Sequence, residues 1–377
     1  MTKPQNIETI AHVPTLIIGI QAPYNDTENI DAYYDEFKNL LKTNGTTFDA
    51  EHFIKIREIN QKTFITPGKL EEIRKLCEKH AIEEVYISEP ITTLQAKHLE
   101  DYLNCKVFDR TDLILEIFKK AAQTAEGKTQ VAIATLEHAK TRLAGKGIFL
   151  EQQRGGGGAG TKGGPGETLK EREKRVINAK IQQLRKQLET LHRARETQRK
   201  KRIAAHVPQI CLIGYTNAGK STILNTLTKA QVLAENKLFA TLDTTTRELY
   251  INGIKKGVLS DTVGFIQYLP HKLIDAFKST LSELQYADLL LEVVDASDPD
   301  WKAHIDVVQD ILDDLEVEKP ILYVFNKIDK CSEEIKQRLE DDAQKYQPYV
   351  IISAKERETM KPLIDFLDQW KVEKLPS

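Results

Sequence analysis

A glycine-rich segment near the middle of the chain has the residue types and spacing that suit a polyphosphate held beside Mg²⁺. It reads Gly-Tyr-Thr-Asn-Ala-Gly-Lys-Ser over positions 214–221 and matches the pattern G-x-x-x-x-G-K-S. It follows an apolar, strand-like run at 209–213 and precedes a helix-like run that starts at Thr222. This order places backbone N–H groups and the positive end of a helix dipole around phosphate oxygens. The segment therefore predicts a nucleotide-binding site.

Two side chains of this loop have specific roles in such a site. Lys220 is expected to reach the β- and γ-phosphates, and the Ser221 hydroxyl is expected to ligate Mg²⁺. The alternative is a glycine turn with an incidental Lys-Ser pair, and the strand-to-helix context argues against it. The predicted phosphate-binding residues are Gly214, Tyr215, Thr216, Asn217, Ala218, Gly219, Lys220, Ser221 and Thr222.

Three further segments, each after an apolar strand-like run, indicate which nucleotide is bound. At 261–264 the aspartate can hold Mg²⁺ through water, and Gly264 can offer its N–H to the γ-phosphate. At 326–329 the Asp329 carboxylate can accept hydrogen bonds from guanine N1–H and N2–H₂, a pair of donors that adenine lacks. The turn at 353–355 is suited to closing over the base, so the four segments in this order predict a GTP-binding protein. The residues assigned to these contacts are Asp261, Thr262, Val263, Gly264, Asn326, Lys327, Ile328, Asp329, Ser353 and Ala354.

Composition is that of an ordinary soluble protein and argues against several kinds of site. The 377 residues are 40% hydrophobic and 29% charged, enough for two or three domains with cores. No run approaches the about 20 apolar residues that span a bilayer, so no integral membrane segment is expected. The four cysteines are scattered, which argues against disulfides and a zinc site. A cytoplasmic monomer without a targeting peptide is predicted, and peripheral association with a membrane stays open.

Residues 1–110 are predicted to form a small α/β domain with a parallel sheet, because short apolar runs alternate with helical stretches. Neither a glycine fingerprint nor a catalytic constellation stands out within it. Strands are expected at 16–20, 53–56, 84–87 and 106–108, and helices at 30–41, 70–80 and 94–103.

Residues 111–205 are predicted to form an antiparallel helical hairpin. A helix is expected over about 112–143, where apolar side chains recur with 4-3-4 spacing, and another over 168–205, where they recur with 4-3-4-3 spacing. Two such seams joined by a linker favour helices that pack on each other. The seam residues are Ala132, Leu136, Ala139 and Leu143 in the first helix and Ile177, Ile181, Leu184, Leu188 and Leu191 in the second.

The second helix is strongly basic. Between residues 161 and 202 there are fourteen Lys and Arg against five Glu, although the whole chain has a net charge of −2. This one-sided excess favours contact with a nucleic acid, and a solvated face of a coiled coil is the alternative. The glycine-rich loop at 154–166 is a flexible linker by composition. With Arg154 and Lys162 it could instead press against RNA phosphates.

Residues 206–377 are predicted to form the GTPase domain, and runs throughout the chain resemble the HflX family of GTPases. The loop at 214–222, the run Leu-Phe-Ala-Thr-Leu-Asp-Thr-Thr-Thr-Arg at 238–247 and Asp-Thr-Val-Gly-Phe-Ile at 261–266 are similar to its motifs. Upstream, Thr-Pro-Gly-Lys-Leu-Glu-Glu at 66–72 and Asp-Arg-Thr-Asp-Leu-Ile-Leu at 109–115 resemble that family's N-terminal domain. The glycine-rich loop departs from the family pattern, because Lys162-Gly163 stands where an Arg usually precedes Gly-Pro-Gly.

The resemblance implies an α/β N-terminal domain with a helical hairpin, followed by a Ras-like P-loop GTPase domain. It implies GTP hydrolysis with Mg²⁺, and binding to the large (50S) ribosomal subunit and its RNA through the basic hairpin and glycine-rich loop. The implied role is the rescue or splitting of stalled ribosomes, or subunit biogenesis. Two alternatives remain: a GTP-dependent switch that acts on a protein effector, and an RNA-remodelling ATPase with an adenine nucleotide in the N-terminal domain.

The family's switch I, the loop that senses the γ-phosphate, matches Phe239, Ala240, Thr241, Leu242 and Asp243. By this resemblance Thr241 is the second Mg²⁺ ligand beside Ser221, and Lys220, Thr241 and Gly264 act on the γ-phosphate. Spacing alone does not separate Thr241 from Thr244, Thr245 or Thr246.

Phe265 follows Gly264 at a position where Ras-like enzymes often have a glutamine that orients the attacking water. Phenylalanine cannot form that hydrogen bond. We therefore expect slow hydrolysis by the isolated protein and acceleration by the ribosome. In the alternative, Phe265 packs under switch II, the loop that begins at Gly264, and another group positions the water.

Overall fold

The computed structural model describes residues 12–25, 29–145, 169–228, 237–239, 242, 244–267, 281 and 283–371. The glycine-rich loop 154–166 and the switch I residues Ala240, Thr241 and Asp243 lie outside the described residues. The chain divides into two compact units, one from residues 1–116 and 138–174 and the other from 117–137 and 175–377. The domain boundaries expected after residues 110 and 205 stay a prediction.

The first unit contains a four-stranded sheet in the order β2-β1-β3-β4, and every strand pair is parallel. Leu16, Ile17 and Ile18 of β1 are all fully buried, as expected for a parallel sheet covered on both faces. The predicted strands and helices are all present, within three residues at each end. They are β1 Thr15–Gln21, α1 Ile30–Asn44, β2 Ala50–Lys55, α2 Pro67–His80, β3 Glu84–Ile87, α3 Thr93–Leu103 and β4 Lys106–Phe108.

The segment predicted as one helix over 112–143 forms two helices, α4 Arg110–Ala121 and α5 Ala125–Gly145, so that prediction is wrong. Thr124 begins the second helix: its Oγ1 accepts the Gly127 N–H at 3.0 Å, and its carbonyl accepts the Lys128 N–H at 3.0 Å. A threonine in this position satisfies an N–H group that has no partner within the first helical turn. The same side-chain hydrogen bond competes with continuation of the preceding helix.

The third long helix, α6 Leu169–Ala204, runs antiparallel to α5. Glu137 of α5 pairs with Arg185 of α6 at 2.6 Å. Oε1 of Glu126, which comes earlier in α5, lies 3.4 Å from Nε2 of His192, which comes later in α6. Because the order of the contacts is reversed between the two helices, the predicted antiparallel hairpin is confirmed.

The buried face of α5 differs from the predicted seam. Val131 and Ala134 are buried, whereas Ala132 and Leu136 are only half-buried. Ala132 and Leu136 instead line an open groove with Leu184 of α6. The partner helix α6 covers only part of the apolar surface of α5. The 4-3-4 spacing therefore cannot show which face of α5 the rest of the protein buries.

The second unit contains a six-stranded sheet in the order β10-β9-β8-β5-β7-β6, in which only the β6–β7 pair is antiparallel. The carboxyl ends of its parallel strands therefore meet at one edge, which is where ligands bind in open α/β sheets. The four motifs follow β5, β7, β9 and β10 and so share that edge. The elements are β5 Gln209–Ile213, α7 Lys220–Thr228, β6 Thr245–Ile251, β7 Ile254–Asp261, β8 Leu289–Asp295, α8 Trp301–Asp314, β9 Ile321–Asn326, α9 Glu333–Ala343, β10 Tyr349–Ile351 and α10 Lys361–Gln369.

The mixed α/β class, the N-terminal parallel sheet and the P-loop domain are thus confirmed. Within the described ranges, none of the helices has the length and apolar character that a bilayer crossing requires.

Glu292 is a buried carboxyl group in the central strand β8. Its side chain is 0% exposed, and Gln309 Nε2 donates to Oε2 at 2.8 Å. Its Oε1 atom has no hydrogen-bond partner among the described residues. Burial raises the pKa of Glu292 to about 8, although the Gln309 hydrogen bond acts in the opposite direction. The folded protein therefore holds this proton more tightly than the unfolded chain does.

We expect Glu292→Gln to improve the stability of the protein, relative to the wild type, more at pH 8 than at pH 6. Because the folded pKa is raised from 4.5 to about 8, the wild type loses stability as the pH rises through that window. The advantage of the variant in free energy of unfolding should grow by about 2 kcal/mol between pH 6 and pH 8. Denaturant unfolding at both pH values measures it, with Glu340→Gln at an exposed position as control. An advantage of the same size at both pH values would contradict the raised pKa.

Candidate functional site

The glycine-rich loop connects β5 to α7, and two of its glycines have conformations that other residues rarely adopt. Gly214 has φ +135° and Gly219 has φ +105°. A Cβ atom at Gly214 would lie 2.3 Å from the Val293 carbonyl oxygen, and one at Gly219 would lie 2.2 Å from Asn326 Nδ2. The glycines therefore allow the loop to pack tightly against the ends of β8 and β9.

Lys220 is buried at the centre of this loop. Its Nζ donates to the carbonyl oxygens of Gly214 at 2.9 Å and Tyr215 at 2.7 Å. Desolvation lowers the pKa of Lys220 to about 8, and the nearby Asp261 carboxylate opposes this shift. An anionic phosphate would favour the charged ammonium, so the loop is electrostatically suited to the ligand expected from its sequence.

Oxygen ligands suited to Mg²⁺ lie beside the loop. Ser221 Oγ donates to Asp261 Oδ2 at 2.6 Å, and Asp261 is fully buried at the end of β7. Hydroxyl and carboxylate oxygens next to a phosphate loop fit the preference of Mg²⁺ for hard oxygen ligands. Thr241, the second expected ligand, lies outside the described residues. Among the other threonines that could act as this ligand, the Thr246 hydroxyl is hydrogen-bonded to the Ser260 hydroxyl at 2.8 Å. The buried Thr244 Oγ1 has no hydrogen-bond partner in the described part of the chain.

Switch II begins in direct contact with the phosphate loop. Thr216 N donates to the Phe265 carbonyl at 2.7 Å, and Phe265 N donates to the Gly214 carbonyl at 3.2 Å. Gln267 N donates to the Tyr215 hydroxyl at 2.9 Å. The Phe265 side chain is 2% exposed, which agrees with the alternative in which it packs under switch II. These bonds hold Gly264 over the loop.

Asn326 connects the loop to the far end of the site. Its Nδ2 donates to the Ala218 carbonyl at 2.8 Å, and its Oδ1 accepts the Ala354 N–H at 2.9 Å. It is 2% exposed. The sequence analysis assigned Asn326 to contacts with the guanine base. In the structure its side-chain amide joins the glycine-rich loop to the turn after β10.

The Asp329 carboxylate faces the turn at 353–355. Its Oδ1 accepts the Ser353 hydroxyl at 2.8 Å, and its Oδ2 accepts from the Lys355 ammonium. The Lys355 hydrogen bond is the main cause that lowers the pKa of Asp329 below its usual value, so the group is ionised at neutral pH. Lys327 Nζ donates to Asp295 Oδ2 at 2.6 Å, which ties the same segment to the end of β8.

The predicted residues converge on one cleft of about 250 Å³. Those that line it are Thr216, Asn217, Gly219, Lys220, Ser221, Thr222, Phe239, Thr262, Gly264, Asn326, Lys327, Asp329, Ser353 and Ala354. Those that do not line it are Gly214, Tyr215, Ala218, Leu242, Asp261, Val263 and Ile328. Of these, Leu242 and Val263 are buried.

Sequence reasoning missed three polar residues of the site. Lys237 and Lys330 line the cleft, and Asp295 bonds Lys327. Lys355, the last residue of the predicted turn at 353–355, lines the cleft as well. Lys330 directly follows a predicted motif, and Asp295 ends a mostly apolar run at 289–294, so these two had a positional signal. No comparable signal marks Lys237.

We expect Gly264→Ala to slow GTP turnover about tenfold or more, because small displacements of positioned groups have large effects on rate. A Cβ atom at Gly264 would lie 2.8 Å from Thr216 Cγ2 and 3.1 Å from Lys220 Nζ, so switch II would move away from the loop. Single-turnover hydrolysis with saturating GTP measures the effect. Gly68→Ala is the control, since its Cβ atom meets nothing within 4 Å. Equal rates for both variants would show that this close approach is not needed.

Three family models match successive parts of the chain. A model described as "GTP-binding GTPase N-terminal" matches residues 31–119, and one described as "GTP-binding GTPase Middle Region" matches residues 121–202. A model described as "50S ribosome-binding GTPase" matches residues 209–327, which contain the loop, both switches and the motif at 326–327.

The chain is similar over most of its length to proteins named GTPase HflX. It is 44% identical to that of Magnetococcus marinus, over 78% of this chain and 68% of the relative. It is 42% identical to that of Lacrimispora saccharolytica, over 93% of this chain and 82% of the relative. It is also 42% identical to that of Escherichia coli, over 85% of this chain and 74% of the relative.

Among solved structures, the crystal structure of SsGBP with GDP has a TM-score of 0.51 and 24% identity, and covers 95% of this chain and 98% of its own. At this identity the likeness supports the fold alone. The relatives, the matched models and a cleft built around the GTP-binding motifs agree, and we conclude that this chain is a GTPase of the HflX family.

Proposed function

We propose that this GTPase acts on the large (50S) ribosomal subunit and contacts its RNA through the basic hairpin and the glycine-rich loop. The observation that carries the proposal is the exposure of the basic residues of α6. Arg172, Lys174, Lys180 and Lys186 are all exposed, and in the segment 161–202 that contains them fourteen Lys and Arg stand against five Glu. Clustered exposed cations are the electrostatic footprint of a protein that binds phosphate backbones.

The family model described as a 50S ribosome-binding GTPase supports the same partner. We infer that binding of GTP and its hydrolysis alternate the protein between ribosome-bound and free states. Rescue or splitting of stalled ribosomes, or subunit biogenesis, is the role we propose for that cycle.

At the nucleotide, we propose that Lys220 binds the β- and γ-phosphates and that the Gly264 N–H contacts the γ-phosphate. Ser221 and Thr241 would hold Mg²⁺, which neutralises charge on the phosphates when bound. The Asp329 carboxylate would accept the two guanine N–H groups. Chemistry at this site is mostly positioning and charge stabilisation.

We further propose that the ribosome accelerates hydrolysis. The Phe265 side chain is buried and carries no hydrogen-bonding group, so it does not orient the attacking water. A partner that orders switch I and the attacking water would then raise the rate, and turnover measured with and without large subunits tests this.

We expect Asp329→Asn to shift the preference from guanine to xanthine nucleotides. The variant amide donates where the carboxylate accepted, and xanthine presents a carbonyl in place of the guanine 2-amino group. A site that loses such a matched pair discriminates by about 10⁴-fold or more. Competition of GDP and XDP against a fluorescent guanine nucleotide measures it. Asp342→Asn, which also removes a carboxylate paired to a lysine, is the control and should change nothing.

We expect co-sedimentation with 50S particles to be stronger with a non-hydrolysable GTP analogue than with GDP, and to weaken as salt rises. Replacing Arg172, Lys174 and Lys180 by Glu should reduce it at least tenfold, because each lost phosphate contact weakens binding. The control variant carries Glu at the exposed positions Lys302, Lys345 and Lys361 of the second unit. Salt-insensitive binding, or equal loss in both variants, would instead favour a protein effector and contradict RNA contact by the hairpin.

A further inference from the structure

The tyrosine of the phosphate loop is stacked on a histidine of helix α8. The rings of Tyr215 and His304 are 3.8 Å apart at their centroids and nearly parallel, with an interplanar angle of 11°. Tyr215 is 6% exposed, and the His304 side chain is 15% exposed. Both residues belong to the second unit. Packed aromatic rings stabilise each other beyond the area that they bury, so this contact restricts the orientation of the tyrosine ring.

The other end of the tyrosine side chain holds the start of switch II. The Tyr215 hydroxyl accepts the Gln267 N–H at 2.9 Å. The backbone of Tyr215 forms a parallel bridge with the backbone of Phe265, which directly follows Gly264. Two attachments to one residue therefore hold the segment 264–267 beside the phosphate loop. The attachment at Gln267 depends on the ring orientation, because the hydroxyl oxygen moves with the ring.

Helix α8 gives this stack a fixed support. Trp301 lies three residues before His304, a spacing that places the two side chains on neighbouring parts of the helix surface. Trp301 is 8% exposed and packs edge-to-face on Phe325 of β9, with the ring centroids 5.2 Å apart. A second edge-to-face contact joins Trp301 to Tyr346 at 5.6 Å. The histidine therefore projects from a helix that is anchored on the core of the six-stranded sheet.

His304 stands back from the nucleotide itself. It is not among the described residues that line the cleft. Its Nδ1 lies 4.0 Å from Asp298 Oδ2, which is longer than a hydrogen bond. An effect of His304 on the reaction would therefore pass through the ring that it is stacked on.

We propose that His304 is a positioning residue for GTP hydrolysis: it holds the Tyr215 ring where the hydroxyl accepts the Gln267 N–H, and so keeps Gly264 in place. The inference rests on the proposed contact between the Gly264 N–H and the γ-phosphate. Small displacements of positioned groups have large effects on rate, so a loosened tyrosine ring slows the chemical step. GDP has no γ-phosphate, so its affinity does not depend on this stack.

His304→Ala in the full-length protein removes the stack and leaves the tyrosine hydroxyl in place. The single-turnover rate at saturating GTP should fall about fivefold, which corresponds to the loss of one aromatic pair, while the affinity for GDP stays within about twofold. His304→Phe keeps a flat ring and should restore most of the rate. Ile311→Ala, at a buried position two turns further along α8, is the control for a general loss of packing and should leave the rate unchanged. Equal slowing by His304→Ala and either of these two variants would overturn the proposal.

The Gln267 amide provides a measurement that a merely structural role of His304 would not change. Its hydrogen exchange, followed by mass spectrometry in the peptide that contains it, should become faster in His304→Ala and in Tyr215→Phe, because both weaken its bond to the tyrosine hydroxyl. Exchange should stay as in the wild type in His304→Phe and Ile311→Ala. Unchanged exchange in His304→Ala would contradict the proposal.

A double-mutant cycle tests whether His304 acts through the hydroxyl. Tyr215→Phe removes a single oxygen atom and should slow turnover about as much as His304→Ala does. The double variant should be no slower than either single variant, because both changes break the same link. Effects that multiply would show that His304 acts by another route, and the proposal would be wrong.

Gly264→Ala separates this inference from the assignment on which it rests. If Gly264→Ala hydrolyses GTP as fast as the wild type, the proposed contact of Gly264 with the γ-phosphate fails. If Gly264→Ala is slow and His304→Ala is not, that contact stands and His304 has only a structural role, which overturns the proposal.

Discussion

The nucleotide site depends on one buried charge, the ammonium group of Lys220. A desolvated cation is costly unless it is surrounded by oxygen atoms, and here the Gly214 and Tyr215 carbonyls provide them. Gly214 and Gly219 of the same loop have positive φ angles, and neither glycine leaves room for a Cβ atom. Glycine-rich loops that precede a helix bind phosphates through their backbone N–H groups.

Hydrogen bonds at the ends of the strands join the glycine-rich loop to the rest of the site. Asn326, at the end of β9, bonds the loop on one side and the turn after β10 on the other. Switch II is joined to the same loop through Phe265. The phosphate end and the base end of the cleft are therefore parts of one hydrogen-bonded network. We infer that a structural change at either end alters the hydrogen bonds at the other.

Outside the sheet, α4 brings a helix from the N-terminal half of the sequence against switch I. Phe118 belongs to a segment that the family models assign to the N-terminal region, yet its ring packs on Phe239 of the GTPase domain. Phe239, the first residue of switch I, is thus packed against a residue that the GTP-binding motifs do not include. This agrees with the compact units of the chain, whose boundary falls within α4 after Glu116.

Local sequence predicted most of the fold and of the cleft. The strands of the N-terminal parallel sheet and the parallel strands of the second sheet follow from short apolar runs, and the loop at 214–221, Asp261, Asp329 and Ser353 follow from motif spacing. These features are readable because they depend on neighbours in the sequence: a strand needs a continuous apolar run, and a phosphate loop needs glycines at set intervals.

Other features depend on contacts between residues far apart in the chain, and only the tertiary structure decided them. The true buried face of α5 depends on what packs around the hairpin. The linking role of Asn326 and the pairing of Phe118 with Phe239 join segments about a hundred residues apart. No periodicity along one helix or strand records such a contact, because its energy comes from two surfaces that meet only when the chain has folded.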